Sequence, residues 1–163
     1  MSKIQVFYDY SCPFCKKGYA IFKELLKNRT DLLVEWIPTE AHPRPEAVHP
    51  HTDLCGEAYY VAEEMGADIL AFHDAMFEGV VTQGRDVEKI EEIVDIVKGI
   101  VDSERFKTIL ADGKYAEKPG ENNDLAYEKS GVWVLPAFRM DGKKLDALGG
   151  IGVTEAQLRE FLG

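Results

Sequence analysis

Apolar and polar positions alternate from Lys3 to Asp9, with Ile4, Val6 and Tyr8 interleaved with Gln5 and its neighbours. That period of two predicts a β-strand. From Phe14 to Asn28 the period becomes helical. Phe14, Gly18, Ile21, Phe22 and Leu25 share one face, and Lys16, Lys17, Lys23, Glu24 and Lys27 occupy the rest. Leu32 to Ile37 reads as a second strand stopped by Pro38. Two strands flanking a helix form a β-α-β unit, which usually makes a parallel pair with a right-handed crossover.

Residues 38–53 carry Pro38, Pro43, Pro45 and Pro50 together with histidines, and predict an irregular connection. Helical spacing then continues to Gly131. Cys55, Tyr59, Ala62 and Met65 fit one face, and Ile69, Phe72, His73, Met76, Phe77 and Val80 the next. Asp86 is placed to cap a helix whose core face is Val87, Ile90, Val94, Val97 and Val101. Ser103 is placed to cap another, and a last one is expected from Glu121 to Lys129. Strands return at Pro136–Met140 and Lys143–Leu148, joined by Asp141-Gly142, a strong two-residue hairpin signal. Thr154 with Gln157 predicts a capping box for a final helix. The expected class is α/β: a β-α-β half and a β-β-α half, separated by a helical insertion. One domain spanning 1–163 is expected, with the insertion at 53–130 between the outer parts 1–40 and 131–163.

A chain of 163 residues with 45% hydrophobic composition is long enough for a real core. The net charge of −10 argues against nucleic acid and anionic lipid as partners. Lys3, Gln5 and Asp9 interrupt the residues before Cys12, so no secretory leader is expected there, nor any membrane span. The expected location is the cytoplasm.

The candidate chemistry lies in Cys12-Pro13-Phe14-Cys15, two of only three cysteines. Proline suits the first helical position, which makes Cys12 the N-cap. Unpaired N–H groups of the first turn and the positive end of the helix dipole then favour its thiolate. A three-residue offset puts Cys15 on the same side, within bridging reach. Cys12 is the expected nucleophile and Cys15 the resolving thiol. A zinc half-site also uses C-x-x-C, but needs a second ligand pair. A structural disulfide has no need of proline at that position.

These residues resemble the DsbA-like branch of the thioredoxin-fold superfamily. The likeness rests on Asp9-Tyr10-Ser11-Cys12-Pro13-Phe14-Cys15 and on Gly131-Val132-Trp133-Val134-Leu135-Pro136-Ala137-Phe138, and covers nearly the whole chain. It implies a thioredoxin fold with a helical insertion and a thiol–disulfide oxidoreductase acting on protein or small-thiol substrates. It further implies that Pro136 is a cis-proline facing the dithiol and that Leu135 offers backbone groups to an extended substrate. Pro13 and Phe14 would help position that substrate. No bound cofactor is implied; electrons would come from glutathione or another thiol. Val34-Glu35-Trp36-Ile37-Pro38 and the opening of the motif look most like FrnE-like cytoplasmic members. Val134 departs from a common glycine. Phe14 stands where strongly oxidising periplasmic members have histidine, which implies a milder redox agent. Alternatives are a glutathione-linked transferase or isomerase of the same fold, and a metal-binding or redox-sensing adaptor. Oligomeric state is not legible.

Glu35, in a strand expected to be central, is a candidate proton relay to Cys15; the plainer reading is a strand-edge acid pointing into solvent or paired with a lysine. Asp9 is a second candidate, although its charge would oppose the thiolate. His42, His49, His51 and Cys55 are the other metal-like grouping, with ligand types suited to zinc or copper. Solvent-facing loop histidines and a small buried cysteine explain them as well, and no metal site is assigned. Tyr10, Tyr59, Tyr60 and Trp133 could line a groove; of the aromatics, Tyr10 and Phe14 are expected to be exposed.

Overall fold

In the computed structural model, which describes residues 1–163, strands β1 (Ser2–Tyr8), β2 (Leu32–Pro38), β3 (Ala137–Met140) and β4 (Lys143–Asp146) form one sheet in the order β2-β1-β3-β4. β1 and β2 are parallel, in register from Ser2 opposite Leu32 to Tyr8 opposite Pro38. Helix α1 (Pro13–Leu26) makes the crossover. β3 runs antiparallel to β1, with Val6 opposite Phe138, and β4 antiparallel to β3. Asp141 and Gly142 both have positive φ, 51° and 77°. Such a turn matches the twist of its strands, and Asp-Gly is the pair that adopts it at least cost.

β1 lies inside the sheet and is covered on both faces. Ile4, Val6 and Tyr8 on one side and Phe7 on the other are all buried. β2 is an edge strand, which corrects the expectation of a central one. The β-β-α half pairs onto β1, so the second strand of the chain is left outside.

The buried stripe of α1 is Cys15, Gly18, Tyr19 and Phe22. It is rotated from the expected face, and Phe14 is half exposed. The sulfur of Cys15 and the ring of Tyr19 carry apolar surface that a simple hydrophobic count undervalues. Phe22 packs edge-on to Trp36 at 5.7 Å and against Phe138 at 5.5 Å. Helix α7 (Glu155–Leu162) closes this side through Phe161. Thr154 Oγ1 accepts the Gln157 N–H at 3.2 Å, and Gln157 Oε1 accepts the Thr154 N–H at 2.9 Å.

The insertion contains α2 (Asp53–Glu64), α3 (Ile69–Phe77), α4 (Ile90–Ile96), α5 (Ser103–Ala111) and α6 (Lys118–Asn123). α3 and α6 continue as π-helical turns, Glu78–Thr82 and Asp124–Lys129. Three ends differ from expectation. Asp86 does not cap α4; its carboxylate accepts the Glu88 N–H at 3.4 Å inside a preceding turn, and Ile90 starts the helix. Val101 lies beyond that helix. Asp102 rather than Ser103 caps α5, accepting the Arg105 N–H at 3.4 Å, because its carboxylate is one residue earlier and reaches the open first turn. α6 begins at Lys118, before the expected Glu121, with Pro119 in its first turn. No helix is long and apolar enough to cross a membrane.

Phe22→Ala should cost about 3–5 kcal/mol by opening a cavity between α1 and the sheet. Thr154→Ala should cost only about 1 kcal/mol by loss of a cap. Urea unfolding of both variants checks this order, and equal losses would refute it.

Candidate active site

The loop from β1 delivers Cys12 to the start of α1 as its N-cap, with extended backbone (φ −90°, ψ 117°) and Pro13 in the first turn. Proline supplies the φ that a first helical residue needs and withholds no useful hydrogen bond. The Cys15 N–H donates to Cys12 Sγ at 3.3 Å. Both thiols are free; Cys12 is half-buried and Cys15 fully buried.

The two sulfurs are pushed in opposite directions. The Cys15 thiol donates to Cys12 and holds it below the ordinary thiol range. Partial burial opposes this, and the Cys15 and Phe14 N–H groups add to the lowering. Burial pushes Cys15 well up, and its hydrogen bond to Cys12 and the charge there push it further. Thiolate is therefore favoured on the accessible Cys12 and thiol on the buried Cys15.

Asp9 lies beneath. Its N–H points at Cys15 Sγ at 3.5 Å. One carboxylate oxygen accepts the Ser11 N–H and hydroxyl, both at 2.9 Å, and the other accepts the Ala41 N–H at 2.8 Å. These donors hold the acid in place, while its charge raises both sulfurs. Of the two acids considered from sequence, Asp9 is the one at the dithiol.

Glu35 is not there, which corrects its candidacy as a relay. It sits opposite Gln5, mid-strand, roughly 10 Å back from the strand end that carries the motif. Gln5 donates to it at 2.8 Å and Lys3 pairs with it at 3.0 Å. Burial raises its pKa, but those two partners outweigh that and bring it below the carboxylate norm. Because β2 is an edge strand, the side chain faces a surface groove with Tyr60, Lys118 and Asn122.

The Leu135–Pro136 peptide bond is cis. The Pro136 ring lies over Gly18 of α1: a Cβ added at Gly18 would sit 3.0 Å from Pro136 Cγ. Glycine at this position lets the loop before β3 approach the dithiol helix. Leu135 is buried. Trp133, two residues earlier, is 87% exposed, and Phe14 lies against Gly152 with Leu148 and Ile151 exposed nearby.

Tyr10 is buried rather than exposed. Its ring turns away from the turn that holds Cys12 and enters the insertion, where its hydroxyl meets His73 Nδ1 at 2.8 Å and the Tyr8 hydroxyl at 3.1 Å. Tyr59 stacks on His73. Sequence reasoning placed His73 only on a core face; no local pattern marks a partner 63 residues away. Burial lowers the pKa of His73 to about 3, so it is neutral in the folded protein.

The four residues of the metal-like grouping do not converge. Cys55 is buried in α2, and His42 turns to Glu46 at 3.5 Å. His49 and His51 instead meet Glu88, which no spacing rule singles out.

Residues 3–159 match the model of the DsbA-like thioredoxin domain. The chain belongs to the DsbA-like thioredoxin family. It is 23% identical to the uncharacterized protein YwbO of Bacillus subtilis, over 96% of each chain. Among solved structures, this DsbA-like fold resembles BdbD from Bacillus subtilis (TM-score 0.73, 19% identity, 99% of this chain and 85% of that one). It also resembles DsbA from Pseudomonas aeruginosa (TM-score 0.70, 20% identity, 99% and 80%). The helical insertion between the two thioredoxin halves is thus the family's architecture.

Two expectations follow. Removing the Cys15 donor in Cys15→Ala should raise the Cys12 pKa, read as thiolate absorbance near 240 nm against pH; an unchanged or lower pKa would contradict the assigned donor. His73 has a folded pKa below its unfolded value of 6.5, so the unfolded chain binds more protons in acid. Its contribution is whole above about pH 6.5 and is lost as pH falls towards 3, at up to about 1.4 kcal/mol per pH unit. His73→Phe should flatten the decline in stability between pH 6 and pH 4, and an equally steep decline would refute this.

Proposed function

We propose that this DsbA-like protein is a thiol–disulfide oxidoreductase that exchanges disulfides with protein or small-thiol substrates through Cys12 and Cys15. The observation that carries this is the division of roles between the sulfurs: an accessible Cys12 favoured as thiolate at a helix N-terminus, over a buried Cys15 favoured as thiol.

In the reducing direction, the Cys12 thiolate attacks one sulfur of a substrate disulfide. The Cys12–substrate bond forms, the substrate S–S bond breaks, and the departing sulfur leaves as thiolate and takes a proton. Cys12 no longer carries charge, so Cys15 loses one cause of its raised pKa. It gives up its proton and attacks Cys12 Sγ, releasing the second substrate thiol. Two electrons have passed to the substrate, and the protein holds a Cys12–Cys15 disulfide. The reverse sequence oxidises a substrate dithiol. Return to the starting state needs a thiol reductant such as glutathione, or a disulfide oxidant.

Pro136 and the backbone of Leu135 position the substrate beside Cys12, and Pro13 and Phe14 form the opposite lip. The approach of Pro136 to Gly18 and the exposure of Trp133 beside that loop support this. The Cys12 thiolate is held by the Cys15 thiol and backbone N–H groups, with Asp9 opposing, and the Phe14 side chain offers no hydrogen-bond donor. The reduced form is therefore less stabilised than with a cationic neighbour.

Insulin reduction by the wild type should fall at least about 1000-fold in Cys12→Ser, since the thiolate is the nucleophile. Cys15→Ser should instead trap mixed disulfides. Wild-type inactivity in both reduction and disulfide isomerisation would favour a glutathione transferase or an adaptor. Equilibration with glutathione should give a potential below about −120 mV, the value of the strongly oxidising periplasmic protein, and a potential as high as that would refute the role given to Phe14.

A further inference from the structure

Outside the dithiol site, the loop between β2 and α2 brings His49 and His51 against Glu88, from the turn ahead of α4. His51 is only 5% exposed. Its Nε2 lies 2.7 Å from the Glu46 carbonyl oxygen. A carbonyl only accepts, so Nε2 carries a hydrogen and the neutral ring leaves Nδ1 as a bare lone pair. That Nδ1 is buried and has no hydrogen-bond partner. It faces Glu88 Oε1 at 3.6 Å, too far for a hydrogen bond. An imidazole held through one nitrogen by a backbone carbonyl, with the other nitrogen free, has the orientation and tautomer that metal-binding histidines need.

His49 completes the arrangement. Its Nδ1 lies 2.7 Å from Glu88 Oε2, and its ring meets that of His51 edge-on at 4.7 Å. One ligand atom from each of the three residues lies within 4.8 Å of the others. Tetrahedral zinc, with bonds of about 2.0–2.2 Å, holds its ligands roughly 3.3–3.5 Å apart. The widest pair needs to close by about 1.3–1.5 Å, from 4.8 Å, and His49, 64% exposed, has room to do so.

We propose that His49, His51 and Glu88 form a zinc(II) site, two imidazoles and a carboxylate with a fourth position open to water. Zinc replaces the His49–Glu88 hydrogen bond. A proton on His49 Nδ1 moves to the solvent-facing Nε2, so the ring binds neutral. Arg44, 3.4 Å from Glu88 Oε1, opposes a cation and must swing aside; Asp53, which it already meets at 3.3 Å, receives it. Glu46 adds negative charge nearby, and its carboxylate is turned to His42. The ion would tie the proline-rich loop to the helical insertion. The same loop donates the Ala41 N–H to Asp9 beneath the dithiol, so the site braces a segment that touches the redox centre without joining it.

The test must keep zinc off the dithiol. The full chain, free of any histidine tag and carrying Cys12→Ser and Cys15→Ser, is titrated with zinc against a chromogenic chelator. Thermal unfolding is followed with and without zinc. One equivalent should bind and raise the Tm. His49→Ala and Glu88→Gln should each weaken binding at least tenfold and abolish the Tm increase, whereas His42→Ala should match the parent. His49 is on the surface, so its variant remains informative if His51→Ala does not fold. No stoichiometric binding in the parent, binding of copper but not zinc, or zinc affinity unchanged in His49→Ala would each overturn the site.

Discussion

The sulfur of Cys12 occupies the place where a helix N-cap normally puts a hydroxyl or carboxylate oxygen. The Cys15 N–H and thiol both point at it. A charge on this sulfur is therefore stabilised by groups the helix presents anyway, and a thiol on Cys15 is kept by the same interaction seen from the other side. The surrounding fold serves to hold this turn in place. β1 delivers it, α1 anchors it through Phe22, and the loop before β3 lays the Pro136 ring over Gly18 of the same helix.

Holding the turn requires that β1 be rigid, and burial on both faces achieves this. The thioredoxin halves cover one side with α1 and α7. The helical insertion covers the rest, and its contribution is specific. Tyr10, two residues before Cys12, reaches into it and meets His73, which is stacked on Tyr59. The dithiol turn is thus bolted to the insertion by a neutral aromatic and hydrogen-bonded cluster.

Electrostatics at the site come from small, fixed contributions rather than from a cationic neighbour. Asp9 is held by three donors and works against the thiolate, while backbone N–H groups and the Cys15 thiol work for it. Phe14, Trp133 and Ile151 are exposed apolar side chains, and Phe14 lies against Gly152 next to Ile151.

What the sequence by itself determined is whatever is local. The strand–helix–strand order, Cys12 as N-cap with Pro13 behind it, the Asp141-Gly142 hairpin and the Thr154–Gln157 capping box all depend on residues within a few positions of one another, and each is present. Tertiary structure decided what distant segments settle between them. The antiparallel return of β3 onto β1 made β2 an edge strand and took Glu35 away from the dithiol to Lys3 and Gln5. Packing of α3 against the sheet drew Tyr10 inwards, where a reading of its loop position expected exposure. The four-residue metal-like grouping divided, because Cys55 lies on a core-facing helix side while Glu88 comes from another element. Even Cys12-Pro13-Phe14-Cys15, legible at once as a dithiol, owes the division of roles between its sulfurs to burial, and burial belongs to the whole chain.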